Sequence, residues 1–272
     1  MNSYLQLFRL GNALMGIVGV IVAAFMAAGT GVFDHWVDLL ICGFSVVVFI
    51  AGGNALNDYI DADIDKVAHP DRPIPSGKLS RQQAFISGLL MLGASVVASM
   101  FTLDPACFMI VLVACVLMLA YETLLKQRGF IGNLTIAVLT GMLFLLGGAA
   151  VGDFRANIIV ALMALLVSVG REIAKDIEDM EGDEGRKTLP MSIGVRNASI
   201  IAAVFFIAGP VLSIYPIIQE TYGILYYLVI VADIIFLYCA YAVFKDPHKA
   251  QKNAKLAMVC ALFAFILGIA FV

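Results

Sequence analysis

Four carboxylates stand within nine consecutive residues of a chain that is poor in charge elsewhere. The stretch NDYIDADID covers residues 57–65, whereas only 14% of the 272 residues are charged and 62% are hydrophobic. A second stretch, KDIEDMEGD at residues 175–183, has the same D-x-x-D-x-x-x-D spacing, and its Asp176 lies 118 residues after Asp58. We call these stretches the first and second acid segments. The repeated spacing predicts a duplicated half in which each copy ends a helix with the same device.

The spacing of the acids predicts that each segment presents one polar stripe if its helix continues through it, because residues three or four apart share a helix face. The predicted stripes consist of Asn57, Asp61 and Asp65 in the first segment and Asp176, Asp179 and Asp183 in the second. Asp63 would point away from its stripe. Like charges at this spacing repel each other, so the arrangement costs stability unless a cation lies among them.

Oxygen-rich stripes of this kind favour a hard divalent cation. Mg²⁺ prefers carboxylate and amide oxygens, usually keeps several waters and completes its shell with phosphate oxygens. Four basic residues would lie beside the two stripes and neutralise a phosphate group: Arg72, Lys126, Lys175 and Lys187. The two segments together therefore predict a Mg²⁺-bound diphosphate, whereas for one segment alone a solvated acidic loop is the simpler interpretation.

The rest of the chain is apolar enough to place these segments at the ends of membrane helices. The mean hydropathy is +0.97, and apolar runs of about 20 residues, enough to cross a hydrocarbon core of roughly 30 Å, recur throughout. Nine candidate helices lie near residues 11–29, 37–57, 83–102, 105–121, 130–150, 156–172, 197–217, 222–244 and 253–271. We expect one all-α domain over residues 1–272, a transmembrane bundle around an apolar substrate cavity, with polar motif segments at about 57–81 and 171–196.

The basic residues predict which side of the membrane the acid segments occupy. Sixteen of the seventeen lysines and arginines fall at the N-terminus or in every second loop, and only Arg155 falls on the other side. An excess of Lys and Arg marks cytoplasmic loops. Twelve of the twenty acids lie in two segments on that same side. We therefore expect a multi-pass cell-membrane protein with a cytoplasmic site, a cytoplasmic N-terminus and an external C-terminus.

The motifs resemble those of a known family of membrane enzymes. NDYIDADID is similar to the N-D-x-x-D-x-x-x-D motif of the UbiA superfamily of intramembrane prenyltransferases, and KDIEDMEGD to its second aspartate-rich motif. HPDRPIPSG, YETLLKQRGFIGN and REIAKDIEDMEGDEGRKTLP look most like the archaeal geranylgeranylglyceryl phosphate geranylgeranyltransferases, also called digeranylgeranylglyceryl phosphate synthases. The resemblance covers essentially the whole chain. Tyr121 and Lys126 depart from it, since they are five residues apart where the family often has a tyrosine and a lysine four apart.

This resemblance implies transfer of a geranylgeranyl group from geranylgeranyl diphosphate to the free hydroxyl of geranylgeranylglyceryl phosphate, which forms an ether. The six stripe residues would bind Mg²⁺ on the donor diphosphate, and Asp58 would ligate or orient. The substrate-binding residues implied are Arg72, Lys78, Tyr121, Lys126, Lys175 and Lys187. We expect one of these bases to bind the acceptor phosphate, and Lys126 is the first choice because it lies away from both acid segments in sequence. Polyprenyl diphosphate, the acceptor lipid and membrane lipids are the expected partners, with no nucleic acid and no obligatory protein partner.

Other classes of function would leave different signatures. A CDP-alcohol phosphotransferase needs a D-G-x-x-A-R segment, which this sequence lacks. A transporter would place its acids near the bilayer midplane, whereas these lie at helix ends. A prenyltransferase for an aromatic acceptor such as 4-hydroxybenzoate is the main alternative. Asp233 lies within an apolar run, so we expect it to face the bundle interior with a structural partner, and we expect the five cysteines to be buried hydrophobic residues.

Overall fold

The computed structural model describes residues 3–181 and 188–270, and over these residues it contains twelve α-helices and no strand. The helices are α1 (Ser3–Phe8), α2 (Leu10–Ala28), α3 (Trp36–Ile60), α4 (Ala62–Ala68), α5 (Arg81–Ser99), α6 (Pro105–Ala120), α7 (Phe130–Ala149), α8 (Ile158–Glu178), α9 (Leu189–Ile193), α10 (Val195–Ile218), α11 (Val229–Ala242) and α12 (Pro247–Ala270). The predicted all-α fold class is confirmed.

Eight helical stretches among the described residues are long and apolar enough to cross a membrane. The predicted count of nine is therefore off by one. The difference lies in the first stretch, Ala13–Ile60, which runs for 48 residues and includes most of α2 and all of α3. Two helices were predicted there because polar and small residues interrupt the apolar run. In the structure, the 3-10 turn Gly29–His35 joins α2 to α3, and the two helices pack against each other, so this one stretch contains two helices of membrane-spanning length.

Apolar clusters hold the long helices together. One cluster joins α2, α3, α5, α6 and α7 through buried residues such as Val46 and Leu92. A second joins α7, α8, α10, α11 and α12 through residues such as Ile173 and Phe206. A third, around Phe144, connects α2, α7, α8 and α12. Because α7 contributes to all three clusters, it connects the N-terminal half of the bundle to the C-terminal half.

Asp233 was predicted to have a structural partner and the five cysteines to be buried, and the structure agrees except at Cys260, which is only partly buried. Asp233 of α11 accepts a hydrogen bond from the Ser213 hydroxyl at 2.7 Å, and the Tyr226 hydroxyl donates to the Ser213 carbonyl at 3.2 Å. Asp233 therefore has the structural partner that a charge within an apolar helix needs. All five cysteines are free, and four of them are buried.

Candidate active site

The first acid segment keeps its stripe because the helical hydrogen bonds continue through the junction between α3 and α4. The backbone N–H of Asp61 donates to the carbonyl of Asn57 at 2.9 Å, and that of Asp65 donates to Asp61 at 2.8 Å. These bonds between residues four apart place the three side chains one above another. Asp63 points away, as predicted. A hydrogen bond from Lys66, together with the charge of the nearby Arg81, holds the pKa of the exposed Asp63 below its usual value.

A compact turn after α4 brings Arg72 back to the acid segment that precedes it. Within HPDRPIPSG, the Ser76 hydroxyl donates to the Arg72 carbonyl at 2.7 Å, and Gly77 adopts a left-handed φ of 73° that a residue with a side chain would rarely tolerate. The Arg72 guanidinium lies 2.5 Å from the Asp65 carboxylate and 3.6 Å from Asp58. The turn therefore fixes a cation beside the acid stripe.

Asp58 lies beneath the stripe rather than on it. Its side chain is only 2% exposed. It accepts a hydrogen bond from Arg9 and forms an ion pair with Arg72. Arg9 connects α1 to α2 in a left-handed conformation with a φ of 49°, which is uncommon for a residue other than glycine. Asp58 thus orients two arginines at the edge of the site, and Arg9 is a site residue that the sequence analysis used only for topology.

The C-terminal end of α6 widens into a π-helical turn, Tyr121–Leu125. The backbone N–H of Lys126 donates to the carbonyl of Tyr121 at 2.9 Å, a bond that spans five residues. A π-helical turn accommodates five residues between bonded groups, where an α-helical turn accommodates four. Tyr121 and Lys126 therefore lie one turn apart despite their longer spacing, and both line the same cavity.

Lys126 lies next to the first acid segment, where the predicted diphosphate site requires a cation. Its ammonium lies 2.7 Å from the carboxylate of Asp61 and 3.3 Å from that of Glu122, and its side chain is only 9% exposed. Asn57 also donates a hydrogen bond to Glu122, at 3.4 Å. Lys126 is far from the first acid segment in the chain but adjacent to it in space, because the end of α6 packs beside the end of α3.

The second acid segment continues α8 as far as Glu178 and then forms a 3-10 turn, Asp179–Glu181. Lys175 and Asp179 line the cavity that faces the first segment. Asp176 does not line it, since its carboxylate accepts a hydrogen bond from Asn133 of α7 at 2.9 Å. Asp183 and Lys187, which the sequence also predicted, fall outside the described residues.

The two acid segments face a single cavity of about 810 Å³, which we call the site cavity. The predicted residues that line it are Asn57, Asp61, Asp65, Arg72, Tyr121, Lys126, Lys175 and Asp179. Residues that the sequence analysis did not select also line it: Arg9, His69, Glu122, Glu172 and Glu178. Lys78 is exposed and lies elsewhere. Of the missed residues, Glu122 had a sequence signal, since it precedes Lys126 by four positions.

A second cavity continues from the site cavity into the bundle. It has a volume of about 260 Å³, and we call it the first apolar cavity. Ile50, Met118 and Ile136 line both cavities, and the remaining lining consists mostly of aliphatic and aromatic side chains. A polar compartment thus opens directly onto an apolar one, which suits a molecule with a charged head and a hydrocarbon tail.

The donor atoms of the site cavity fit Mg²⁺ although the acids do not form a ready-made cluster. No group of three or more His, Cys, Asp or Glu residues in the described part of the chain is arranged to hold a metal ion. Mg²⁺ is usually bound through one or two carboxylates, with waters and substrate phosphates completing its shell. Asn57, Asp61, Asp65 and Asp179 offer such oxygen atoms from two sides of one cavity.

The profile of the UbiA prenyltransferase family matches residues 17–269. The chain belongs to the UbiA prenyltransferase family. It is 36% identical over 278 residues to the digeranylgeranylglyceryl phosphate synthase of Methanosphaera stadtmanae, covering 98% of this chain and 99% of that one. It is 38% identical over 287 residues to the enzyme of the same name from Methanococcoides burtonii, covering 98% and 100%. Together with the apolar helices, membership of this family makes the chain a multi-pass membrane protein.

Solved structures of UbiA proteins share this fold. A structure described as that of a digeranylgeranylglyceryl phosphate synthase in membranes aligns with a TM-score of 0.84 at 32% identity, covering 98% of both chains. A UbiA homologue from Archaeoglobus fulgidus bound to GPP and Mg²⁺ aligns with a TM-score of 0.66 at 14% identity, covering 97% of this chain and 99% of that one. At that low identity the second likeness shows the fold alone.

Proposed function

We propose that this chain transfers a geranylgeranyl group from geranylgeranyl diphosphate to the free hydroxyl of geranylgeranylglyceryl phosphate and so makes an ether-linked archaeal lipid precursor. The observation that carries the proposal is the similarity, over 98% of the chain, to archaeal enzymes named for that product. The placement of acids from both segments around one cavity that opens onto an apolar one supports the same chemistry.

The site cavity would bind the donor diphosphate, and the first apolar cavity would bind its isoprenoid chain. Asn57, Asp61 and Asp65 would hold Mg²⁺ from one side and Asp179 from the other, with Asp183 as a further predicted ligand. Asp176, which faces Asn133 and does not line the cavity, would not be a direct ligand. When bound, Mg²⁺ supplies Lewis-acid neutralisation of the diphosphate charge. A UbiA homologue of the same fold binds GPP and Mg²⁺, which supports the use of Mg²⁺ with a prenyl diphosphate but does not identify the ligands in this chain.

The bases of the site cavity would stabilise the charge that develops as the diphosphate departs. Arg72 and Lys126 already lie within hydrogen-bonding distance of stripe acids, and Lys175 lines the same cavity. Fixed cations in a site that excludes water stabilise a developing anion more than mobile solvent does. The C1–O bond of the donor then breaks, and its electron pair remains on the diphosphate oxygen.

The acceptor hydroxyl completes the transfer. Its oxygen forms the new bond to C1 of the allylic donor, and its proton passes to a carboxylate lining the site cavity or to the released diphosphate. The apolar walls around the donor chain keep water from competing for the same carbon. One ether bond is formed for each C–O bond broken, and no oxidant or reductant is required.

We place the acid segments on the cytoplasmic face, with the N-terminus inside and the C-terminus outside. The support is the distribution of basic residues, because sixteen of seventeen mark one face. A membrane-impermeant lysine reagent should modify the exposed Lys78 in inside-out vesicles and leave it unmodified in intact cells. The reverse pattern would contradict this orientation.

The function is tested by incubating the purified protein in liposomes with labelled geranylgeranyl diphosphate and a panel of acceptors. We expect a labelled ether product with geranylgeranylglyceryl phosphate in the presence of Mg²⁺ and no product in excess chelator. The control acceptor is 4-hydroxybenzoate. If that compound is prenylated and the glycerol phosphate ether is not, the archaeal-lipid assignment fails and an aromatic prenyltransferase takes its place.

A further inference from the structure

A second apolar cavity lies along the face of α8 whose C-terminal residues Glu172, Lys175 and Glu178 line the site cavity. It has a volume of about 410 Å³ and is formed by residues of α2, α7, α8 and α12 together with parts of α10 and α11. It shares no lining residue with the site cavity, but Thr140 and Leu143 line both it and the first apolar cavity. Its wall residues Met15, Val18 and Val259 are exposed, so it opens to the outside of the bundle between α2 and α12.

Two basic side chains line this cavity, Arg171 of α8 and Lys255 of α12. Glu178 at the end of α8 contacts His248 near the start of α12, with 2.6 Å between the carboxylate oxygen and Nδ1. Arg171 precedes Glu178 by seven residues on α8, and Lys255 follows His248 by seven residues on α12. Because the two helices run in opposite directions at this contact, both cations lie about 10 Å from it on the same side. They are therefore at the same depth.

Arg171 and Lys255 differ in whether an acidic side chain already pairs with them. Arg171 pairs with Glu172, its neighbour in sequence. Lys255 forms no hydrogen bond or ion pair with any described residue. It lies where α12 changes from the polar sequence HKAQKNAK to the apolar sequence LAMVCALF, which is the level at which a lysine meets lipid phosphates. An exposed ammonium that has no partner among the described residues and lies at the rim of an apolar cavity is complementary to a lipid with an anionic head.

We propose that the second apolar cavity binds the acceptor lipid, with its phosphate on Lys255 and Arg171 and its isoprenoid chain along the apolar wall. This inference rests on the proposed function, which requires a phosphate-headed acceptor. The donor is assigned to the other route, because the first apolar cavity shares three lining residues with the site cavity and the second shares none. Each isoprenoid chain then has its own compartment.

The path of α8 brings the acceptor hydroxyl to the donor. Arg171 lines the second apolar cavity, and the next residue, Glu172, lines the site cavity. The free hydroxyl of the acceptor stands on the carbon next to the one that bears the phosphate. A phosphate held by Arg171 therefore directs that hydroxyl towards Glu172 and the site cavity, where C1 of the donor lies.

The charge of Lys255 is tested by separate titration of the two substrates. Lys255→Met should raise the acceptor KM roughly ten- to hundredfold, as expected for loss of one charge-assisted hydrogen bond, and leave the donor KM unchanged. Lys255→Arg should restore most of the affinity. The matched control is Lys252→Met, since Lys252 is an exposed lysine of the same helix that does not line the cavity. Binding of labelled acceptor to the protein in liposomes with chelator, where no turnover occurs, should fall in parallel.

The two apolar cavities are tested by a matched pair of alanines. Ala164 lines the second apolar cavity, and Ala114 lines the first. Ala164→Phe should raise the acceptor KM and Ala114→Phe the donor KM, because each added ring occupies one compartment. An equal rise of both constants in either variant, a reversed pattern, or an effect of Lys255→Met only on stimulation by anionic bulk lipid would overturn the proposal. Product formation from geranylgeranylglyceryl phosphate by the wild-type protein would still support the proposed function in each of these cases.

Discussion

Arg72 links two carboxylates of the first acid segment from outside the helices that carry them. It lies 2.5 Å from Asp65, which lines the site cavity, and 3.6 Å from the buried Asp58. Arg81 pairs with Asp63 at 3.1 Å, but both side chains are largely exposed and lie outside the cavity. Both ion pairs join an arginine to an aspartate of the first acid segment, but only the pair of Arg72 lies in the site cavity. Comparing the two therefore distinguishes an effect on the site from the general effect of removing a charge.

Replacement of these arginines should therefore have unequal effects. Arg72→Ala removes a cation from the site cavity, and we expect kcat to fall by about a hundredfold or more. Arg81→Ala removes an exposed pair, which is worth at most about 1 kcal/mol, and should leave kcat within a few-fold of the wild type. Steady-state kinetics with both substrates saturating would decide this. Equal losses in the two variants would indicate a role in folding rather than in the site.

The site residues that could be predicted from the sequence are those that lie at helical spacing within one helix. Asn57, Asp61 and Asp65 meet in the cavity because four-residue spacing survives the junction between α3 and α4. Arg9 was missed because its contact with Asp58 spans 49 residues and depends on a left-handed backbone at the start of α2. Lys126 was identified as a binding residue, but distance along the chain could not predict its contact with Asp61.

At the scale of elements, the position of the first acid segment depends on how α3 packs against α5. The two helices approach closely at Gly52, where an added Cβ would lie 2.9 Å from the carbonyl oxygen of Gly88 and 2.9 Å from Cγ of Leu92. Small residues permit such close packing of membrane helices. On the same helix, a Cβ on Gly43 would have no neighbour within 4 Å.

Gly52→Ala should therefore push α3 away from α5. The acid stripe, which lies about two turns further along α3, should be displaced as a result. We expect a loss of about 1–3 kcal/mol in the free energy of unfolding and a lower kcat. Gly43→Ala is the control, and it should be neutral or slightly stabilising because alanine favours a helix by up to about 1 kcal/mol over glycine. Thermal denaturation in detergent measures both effects. Equal stability of the two variants would contradict close packing at Gly52.

The long apolar elements could be predicted from hydropathy, whereas their polar extensions could not. The run predicted to begin near residue 253 belongs to α12, which begins at Pro247 because its polar first turns are helical as well. The short helices α1, α4 and α9 have too few residues to produce a periodic apolar pattern. The π-helical turn at Tyr121–Leu125 depends on one extra residue, a signal that only comparison with the family pattern made visible.

At the scale of the whole molecule, the two halves of the bundle each bring one acid segment to the same cavity. Asp61 and Asp179 are 118 residues apart in the chain, and both line the site cavity. The repeated spacing predicted that the segments correspond to each other and together bind a metal-bound diphosphate, and the mechanism implied by the family resemblance agreed with this. The division of the interior into two apolar cavities could not be predicted, because it depends on which faces of α2, α7 and α8 pack together.

The joint role of the two acid segments is tested by measuring how the donor binds in the absence of turnover. Calorimetry should use a non-cleavable thio-analogue of geranylgeranyl diphosphate with the protein in lipid nanodiscs, with Mg²⁺ or with chelator. We expect Mg²⁺-dependent binding that weakens by about tenfold to a hundredfold or more in both Asp61→Asn and Asp179→Asn and is unchanged in the control Asp63→Asn. Binding that is equally tight in chelator, or that is lost in the variant of only one segment, would contradict a metal-bound diphosphate held between the two halves.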